Sequence, residues 1–178
     1  MRYLSTGFAQ LLKALPRGLF ERWALPFAAG RRKRGLSGWN HLVAMMFAQA
    51  SGTRSLRDLE QVVERHDGVA RHVGLAGLKR STLSDANRER PAGLFEAAAR
   101  QLPAQLAGPG LSGETVRLID ATHVLAGRRI ARMSGAGGVK LHLMYELESR
   151  RPVCFAITSK RVNDIVAANA MPVEAGAP

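Results

Sequence analysis

The stretch that decides the fold is Thr115-Val-Arg-Leu-Ile-Asp-Ala-Thr-His-Val-Leu-Ala-Gly127. Its first half contains alternating and β-branched apolar residues, which favours a β-strand. The pattern predicts a strand that ends at Asp120, whose carboxylate is costly to bury unless another group pairs with it. Asp120 and Thr122 are two residues apart and therefore share one face of the strand, while Ala121 points away. From this pattern alone, Asp120 either hydrogen-bonds the following turn or binds a metal ion.

Two more strand patterns follow this stretch, and a helical region precedes it. Gly138 to Leu147 and Pro152 to Thr158 both have the composition of strands. Upstream, apolar residues recur at helical spacing, most clearly from Trp39 to Ala50. The run Gly108-Pro-Gly-Leu-Ser-Gly113 is typical of a linker. The sequence therefore predicts an α+β chain with a helical domain at 1–107, a linker at 108–113 and a strand-rich domain at 114–178.

Several helix boundaries are predicted from side chains that cap helices. Ser37 is expected to cap the Trp39 helix, and Gly52 is expected to end it. Ser55, with Asp58 three residues later, has the form of a capping box. Ser81 is expected to cap a polar helix that Pro91 ends or restarts, and Asn163 a helix running to about Met171. His41 lies beside the apolar stripe of its helix, so we expect it at the surface or at the boundary of the core.

The order of several short motifs resembles a known family. The motifs are Phe47 to Asp58, Ser81 to Arg88, Asp120-Ala-Thr122, Lys140-Leu-His142, Asn163-Asp164 and Met171 to Ala177. Together they resemble DDE-type insertion-sequence transposases, over nearly the whole chain. The first two motifs are similar to the helical N-terminal domain of one branch of that family. The others are similar to the opening of its catalytic domain, and the resemblance implies the first strands of an incomplete ribonuclease H-like fold.

The resemblance also implies a chemistry. The family cleaves and joins DNA strands with two Mg²⁺ ions, which several carboxylates must hold in one cleft. Asp120 matches the first of three family carboxylates, which makes it the candidate catalytic and metal-binding residue. Asp164 matches an Asp that precedes a helix and is not one of the three, and no residue matches the other two. We therefore expect a truncated transposase, inactive alone, in which Mg²⁺ binding is doubtful and the roles of Lys140 and His142 are open.

The charge of the chain indicates a polyanionic partner. The formal net charge is +12, and nucleic acid is the commonest partner of such a chain. Residues 1–57 hold ten Lys or Arg and one acid, Glu21. The densest run is Arg31, Arg32, Lys33 and Arg34, which either contacts phosphate or forms a solvated linker.

A helix, a turn and the polar helix after Lys79 resemble a helix-turn-helix. The polar helix would offer Arg80, Thr82, Asn87 and Arg88 to double-stranded DNA. Arg and Asn can read base edges with two hydrogen bonds, whereas Ser and Thr commonly reach phosphates. The expected DNA target is the ends of the mobile element.

Two other functions remain open at this point. One is a DNA-binding module that occupies element ends and represses transposition without catalysis. The other is a small nucleic-acid-binding protein unrelated to transposition.

The remaining composition points to the cytoplasm. The single cysteine, Cys154, makes neither an internal disulfide nor a zinc site, which fits a reducing compartment. The sequence shows neither an apolar run of about 20 residues nor a signal-peptide pattern, so we expect no membrane partner. An incomplete sheet would leave an unpaired edge and an uncovered apolar face, which favours self-association.

Overall fold

The fold of this computed structural model is α+β, as the sequence predicts. The structure describes residues 2–27, 35–105, 116–125 and 137–171. The chain divides into two compact units, residues 1–101 and 102–178. The predicted linker at 108–113 lies outside the described residues, so the predicted domain boundaries stay a prediction.

The described residues of the first unit are helical. The helices are α1 (Arg2–Lys13), α2 (Arg17–Ala24), which a 3-10 turn at Leu25–Phe27 follows, α3 (Gly38–Ser51), α4 (Leu56–Arg65), α5 (Asp67–His72), α6 (Arg80–Glu89) and α7 (Gly93–Gln105). The largest hydrophobic cluster of this unit joins α1, α3, α4 and α6 through Phe8, Phe47, Leu59 and Leu83. The last two side chains are completely buried. Burial of one apolar stripe from each helix therefore fixes how these helices pack.

Three of the predicted helix boundaries in this unit are confirmed. The Ser37 hydroxyl accepts a hydrogen bond from the Asn40 N–H at 3.0 Å, at the start of α3. Gly52 ends that helix in the left-handed conformation, with φ of 67°. At the start of α4, the Ser55 hydroxyl accepts from the Asp58 N–H at 3.1 Å. These are local interactions within four residues, which is why the sequence reveals them.

The predicted cap at Ser81 is wrong. Helix α6 begins one residue earlier, at Arg80, and Lys79 occupies the cap position without a side-chain hydrogen bond. The carboxylate of Glu60 on α4 accepts a hydrogen bond from the Arg80 N–H at 3.2 Å instead. An acid at this position satisfies an otherwise unpaired N–H and favours the positive end of the helix dipole. The two helices are thereby tied together at the start of α6.

The second unit contains a three-stranded antiparallel sheet in the order β1-β2-β3. The strands are β1 (Arg117–Leu125), β2 (Gly138–Glu146) and β3 (Arg151–Ser159), and α8 (Asp164–Asn169) follows. Asn163 caps α8 through a hydrogen bond from the Ile165 N–H at 2.9 Å, as predicted, although the helix ends at Asn169. None of the helices in the described residues is long and apolar enough to cross a membrane.

The prediction that the first strand ends at Asp120 is wrong. Strand β1 continues to Leu125, and Asp120 lies in its middle, opposite Leu143 of β2. The pairing with β2 extends to Gly138, which lies opposite Leu125. The β-branched and apolar residues after Asp120 satisfy their backbone groups in this ladder, so the carboxylate does not terminate the strand.

Candidate nucleic-acid interface

The start of α4 and the first two turns of α6 line a shallow groove on the helical unit. Its volume is about 420 Å³. The lining residues are Ser55, Leu56 and Arg57 of the α4 side and Arg80, Ser81, Ser84 and Asp85 of α6. Two helix N-termini thus contribute to one surface, with hydroxyls and guanidinium groups around it. Because Glu60 already accepts from the Arg80 N–H at the start of α6, the donors that this surface offers to an anion are its hydroxyl and guanidinium groups.

Two arginines supply the charge of this groove. The guanidinium groups of Arg57 and Arg80 are exposed, and neither takes part in an ion pair within the described residues. By contrast, the neighbouring Lys79 ammonium lies 2.8 Å from the Glu64 carboxylate, and its pKa is raised by that hydrogen bond and charge. The N–H groups of the two arginines are therefore available to a bound group. A phosphate can accept hydrogen bonds from both guanidinium groups.

The residues that the sequence assigns to DNA binding lie in different environments in the structure. Arg80 lies in the groove, and Arg88 lies on the exposed side of α6. Thr82 is half-buried, and its methyl carbon lies 3.9 Å from the position that a Cβ on Gly35 would take. The basic run Arg31, Arg32, Lys33 and Arg34 lies outside the described residues.

Asn87 is held by a buried histidine. Its carboxamide Oδ1 lies 2.6 Å from Nε2 of His41, which is 2% exposed. The expectation that His41 lies at the surface or boundary is therefore wrong. Its ring also packs against the Phe95 ring in a T-shaped arrangement, with the two ring centroids 5.0 Å apart. Because Asn87 accepts from the Nε2–H group, its oxygen is already used within the protein.

The environment of His41 favours its neutral form. Burial lowers the pKa of His41 below 6.5, the hydrogen bond to Asn87 opposes this change, and the charge of Arg90 adds to it. The Arg90 guanidinium is itself fixed by donating to the Leu36 carbonyl at 2.6 Å. A buried polar cluster therefore ties the end of α6 to α3.

Asp120 does not lie with the other polar residues of the sheet. Residues directly opposite on paired strands share a face, and successive residues alternate between faces. Asp120 lies opposite Leu143, whereas Ala121 lies opposite His142 and His123 opposite Lys140. Asp120 is therefore on one face, and the Lys140 and His142 side chains are on the other.

Within the described residues, the face of Asp120 does not supply the ligands that Mg²⁺ requires. It carries the exposed apolar side chains of Leu118, Val124 and Ile157, together with Thr122. Among the described residues, no group of three His, Cys, Asp or Glu side chains could hold a metal ion. Mg²⁺ requires several oxygen ligands, and Asp120 supplies the carboxylate of one residue. The predicted self-association through this face stays a prediction.

The Lys140 and His142 side chains make structural contacts on the opposite face. The buried Lys140 ammonium donates to the Val162 carbonyl and to Asp164 Oδ1, both at 2.9 Å. The hydrogen bond from Lys140 to Asp164 lowers the pKa of Asp164, and the charges of Lys140 and His142 lower it less. His142 is completely buried, and its Nε2 lies 2.8 Å from the Thr158 hydroxyl. These contacts hold the start of α8 on β2 and give Asp164 a partner other than a metal ion.

Comparison with known protein families found a match for one part of the chain. Residues 4–76 match the family described as a domain of unknown function, DUF4372. That domain is found in transposase-like proteins. The match includes α4 and Arg57, and it ends before α6 begins. No match was found among curated proteins or solved structures.

Of the seven residues that line the groove, sequence reasoning assigned only Arg80 to DNA binding, and it missed Ser55, Leu56, Arg57, Ser81, Ser84 and Asp85. Arg57 belongs to a helix whose caps and apolar stripe explain its pattern, so it has no separate signal in the sequence. Ser84 and Asp85 could have been found from helical spacing, because they share the exposed side of α6 with Arg88.

Proposed function

We propose that this chain is a transposase-family protein whose helical unit binds double-stranded DNA. The observation that carries the proposal is the groove between α4 and α6, with the unpaired guanidinium groups of Arg57 and Arg80. Two further findings support it: the net charge of +12 and the match of residues 4–76 to a domain found in transposase-like proteins. The ends of a mobile element are the proposed target, since a transposase must find them before any strand is cut.

In this proposal, the groove holds the sugar-phosphate backbone. Phosphate contacts fix the position of a helix-turn-helix on the duplex, and arginines supply most of the binding charge. The hydroxyls of Ser55, Ser81 and Ser84 can donate to the same phosphates, because they line the groove beside the two arginines. The exposed side of α6 would then face the major groove.

Removal of both groove arginines should weaken binding to every duplex. A plot of log affinity against log salt concentration has a negative slope, and each phosphate contact contributes about −0.9 to it. The Arg57→Ala/Arg80→Ala variant loses two contacts, so its slope should be shallower by about 1.8. Fluorescence anisotropy of a labelled duplex, titrated at several salt concentrations, measures this slope.

A matched control is available on the same helix. Arg65 is exposed at the far end of α4, about 12 Å along the helix axis from Arg57. Arg65→Ala removes one charge outside the groove and should leave the slope unchanged. The proposal fails if the unaltered chain binds no duplex at low salt, or if the double variant keeps the original slope.

A second candidate, binding without catalysis, is favoured by the surroundings of Asp120. The catalytic chemistry of the transposase family requires metal ions held by several carboxylates. Asp120 shares its face of the sheet with apolar side chains, as described above. A module of this kind would occupy element ends and repress transposition.

A nuclease assay tests whether the chain binds DNA without cutting it. We expect the purified chain to leave supercoiled plasmid uncut in Mg²⁺ or Mn²⁺, because one carboxylate does not hold two metal ions. Gel electrophoresis of the plasmid after incubation checks this expectation. Nicking that requires metal and disappears in Asp120→Ala would show instead that this chain assembles a catalytic site.

A further inference from the structure

One side of α6 carries an arginine and an aspartate that form an ion pair. Ser81, Ser84, Asp85 and Arg88 follow one another at helical spacing, and all four are exposed. The Arg88 guanidinium Nη2 lies 2.7 Å from Asp85 Oδ1 and 3.6 Å from Glu89 Oε1. Asp85 also lines the groove, from the middle of the helix. The pair therefore stands on the surface that would face the bases if phosphates occupy the groove.

The other polar residues of α6 are less suited to read bases. The Asn87 oxygen is used by His41, and Thr82 is half-buried beside Gly35. Arg88 is the long side chain of the exposed stripe, and Asp85 limits the directions in which its guanidinium points. An arginine fixed by a carboxylate presents its remaining N–H groups in a planar fork.

This arrangement of donors and acceptor has a counterpart in DNA. In the major groove, a G·C pair shows two acceptors, guanine N7 and O6, beside one donor, the cytosine amino group. The Arg88 guanidinium offers donors, and the Asp85 carboxylate is an acceptor next to them. An A·T pair shows a donor between two acceptors and a methyl group, which does not match this order.

We propose that Arg88 and Asp85 together read one G·C base pair, with Arg88 donating to guanine and Asp85 positioning Arg88 and accepting from cytosine. The inference rests on the proposed DNA binding and adds to it a preference for one base pair. An exposed ion pair between residues three apart contributes little to stability. Loss of the pair should therefore change sequence preference and leave the fold intact, which separates this role from a structural one.

The test begins with selection of bound duplexes from a random library by the full 178-residue chain. We expect the selected sequences to share at least one invariant G·C pair. Replacing that pair by A·T should lower affinity about 10-fold, the usual scale for one arginine–guanine contact. Replacing its guanine by 7-deazaguanine, which lacks the N7 acceptor, should lower affinity in the same direction.

Two variants test whether Arg88 and Asp85 cause the preference for the G·C base pair. Arg88→Ala should bring the ratio of affinities for the G·C and A·T duplexes close to one, and Asp85→Asn should reduce that ratio. Arg57→Ala, which removes a groove charge, should weaken both duplexes by the same factor and leave their ratio unchanged. Circular dichroism should show the same helical content in all three variants.

The outcomes separate the inference from the proposed function. If the chain binds duplexes but selects no G·C pair, or if Arg88→Ala keeps the preference, the base-reading role is overturned and DNA binding stands. If the chain binds no duplex at low salt, both are overturned. A preference that Arg88→Ala and Asp85→Asn both reduce supports the pair.

Discussion

Leu83→Ala is expected to lower the free energy of unfolding of the helical unit by about 2–5 kcal/mol, the usual range for a buried leucine. Leu83 is completely buried between α6 and the rest of the hydrophobic cluster, where Leu59 of α4 is equally buried. Truncation removes apolar contacts and leaves a cavity that the surrounding helices fill only in part. Because these side chains pack α4 against α6, the groove geometry and DNA binding should weaken as well.

Urea unfolding followed by tryptophan fluorescence measures this change. The two tryptophans of the chain, Trp23 and Trp39, both lie in the helical unit, so the signal reports on that unit. Leu25→Ala is the matched control, because Leu25 is 68% exposed and its truncation should change stability by less than about 0.5 kcal/mol. Equal unfolding midpoints for the two variants would show that Leu83 does not pack α6 onto the core.

The helical unit shows which parts of a fold are readable in a sequence. The caps at Ser37 and Ser55 join groups three residues apart, so their pattern is local and the prediction is confirmed. The start of α6 is set by Glu60, which is 20 residues away from Arg80 along the chain. The buried His41 ring has its hydrogen-bond partner, Asn87, at a separation of 46 residues. Neither distant partner has a pattern that a single sequence reveals.

The sheet shows the same limit for the candidate catalytic residue. The three strands could be predicted from alternation and β-branched residues, and all three are present. The register could not be predicted, and the register decides which residues share a face. It places Asp120 opposite Leu143 and so separates Asp120 from Lys140 and His142. Motifs that are close in sequence order therefore do not form one site among the described residues.

Asn87→Ala is expected to lower the stability of the helical unit by about 1–3 kcal/mol, the cost of leaving a buried polar group without its partner. The sequence alone assigns Asn87 to base recognition, whereas the structure gives its oxygen to the buried His41 ring at 2.6 Å. The His41 Nδ1 atom has no hydrogen-bond partner within the described residues. Loss of Asn87 would remove the partner of the other ring nitrogen too.

The pH dependence of stability supplies a second measurement for the same variant. Burial lowers the pKa of folded His41 below 6.5, so unfolded chains bind more protons than folded ones as the pH falls below about 6.5. The free energy of unfolding should therefore decrease on acidification through that window. The hydrogen bond from His41 to Asn87 opposes the lowering of the pKa, so Asn87→Ala should make the loss at low pH larger.

Urea unfolding at several pH values between 7 and about 5 tests both effects. Ser84→Ala is the control, because Ser84 is exposed on the same helix and should shift stability by no more than about 0.5 kcal/mol. Its pH dependence should equal that of the unaltered chain, since no hydrogen bond joins Ser84 to the His41 ring within the described residues. If Asn87→Ala unfolds like the unaltered chain but loses its preference among duplexes, Asn87 reads bases, as its place in the polar helix first indicates.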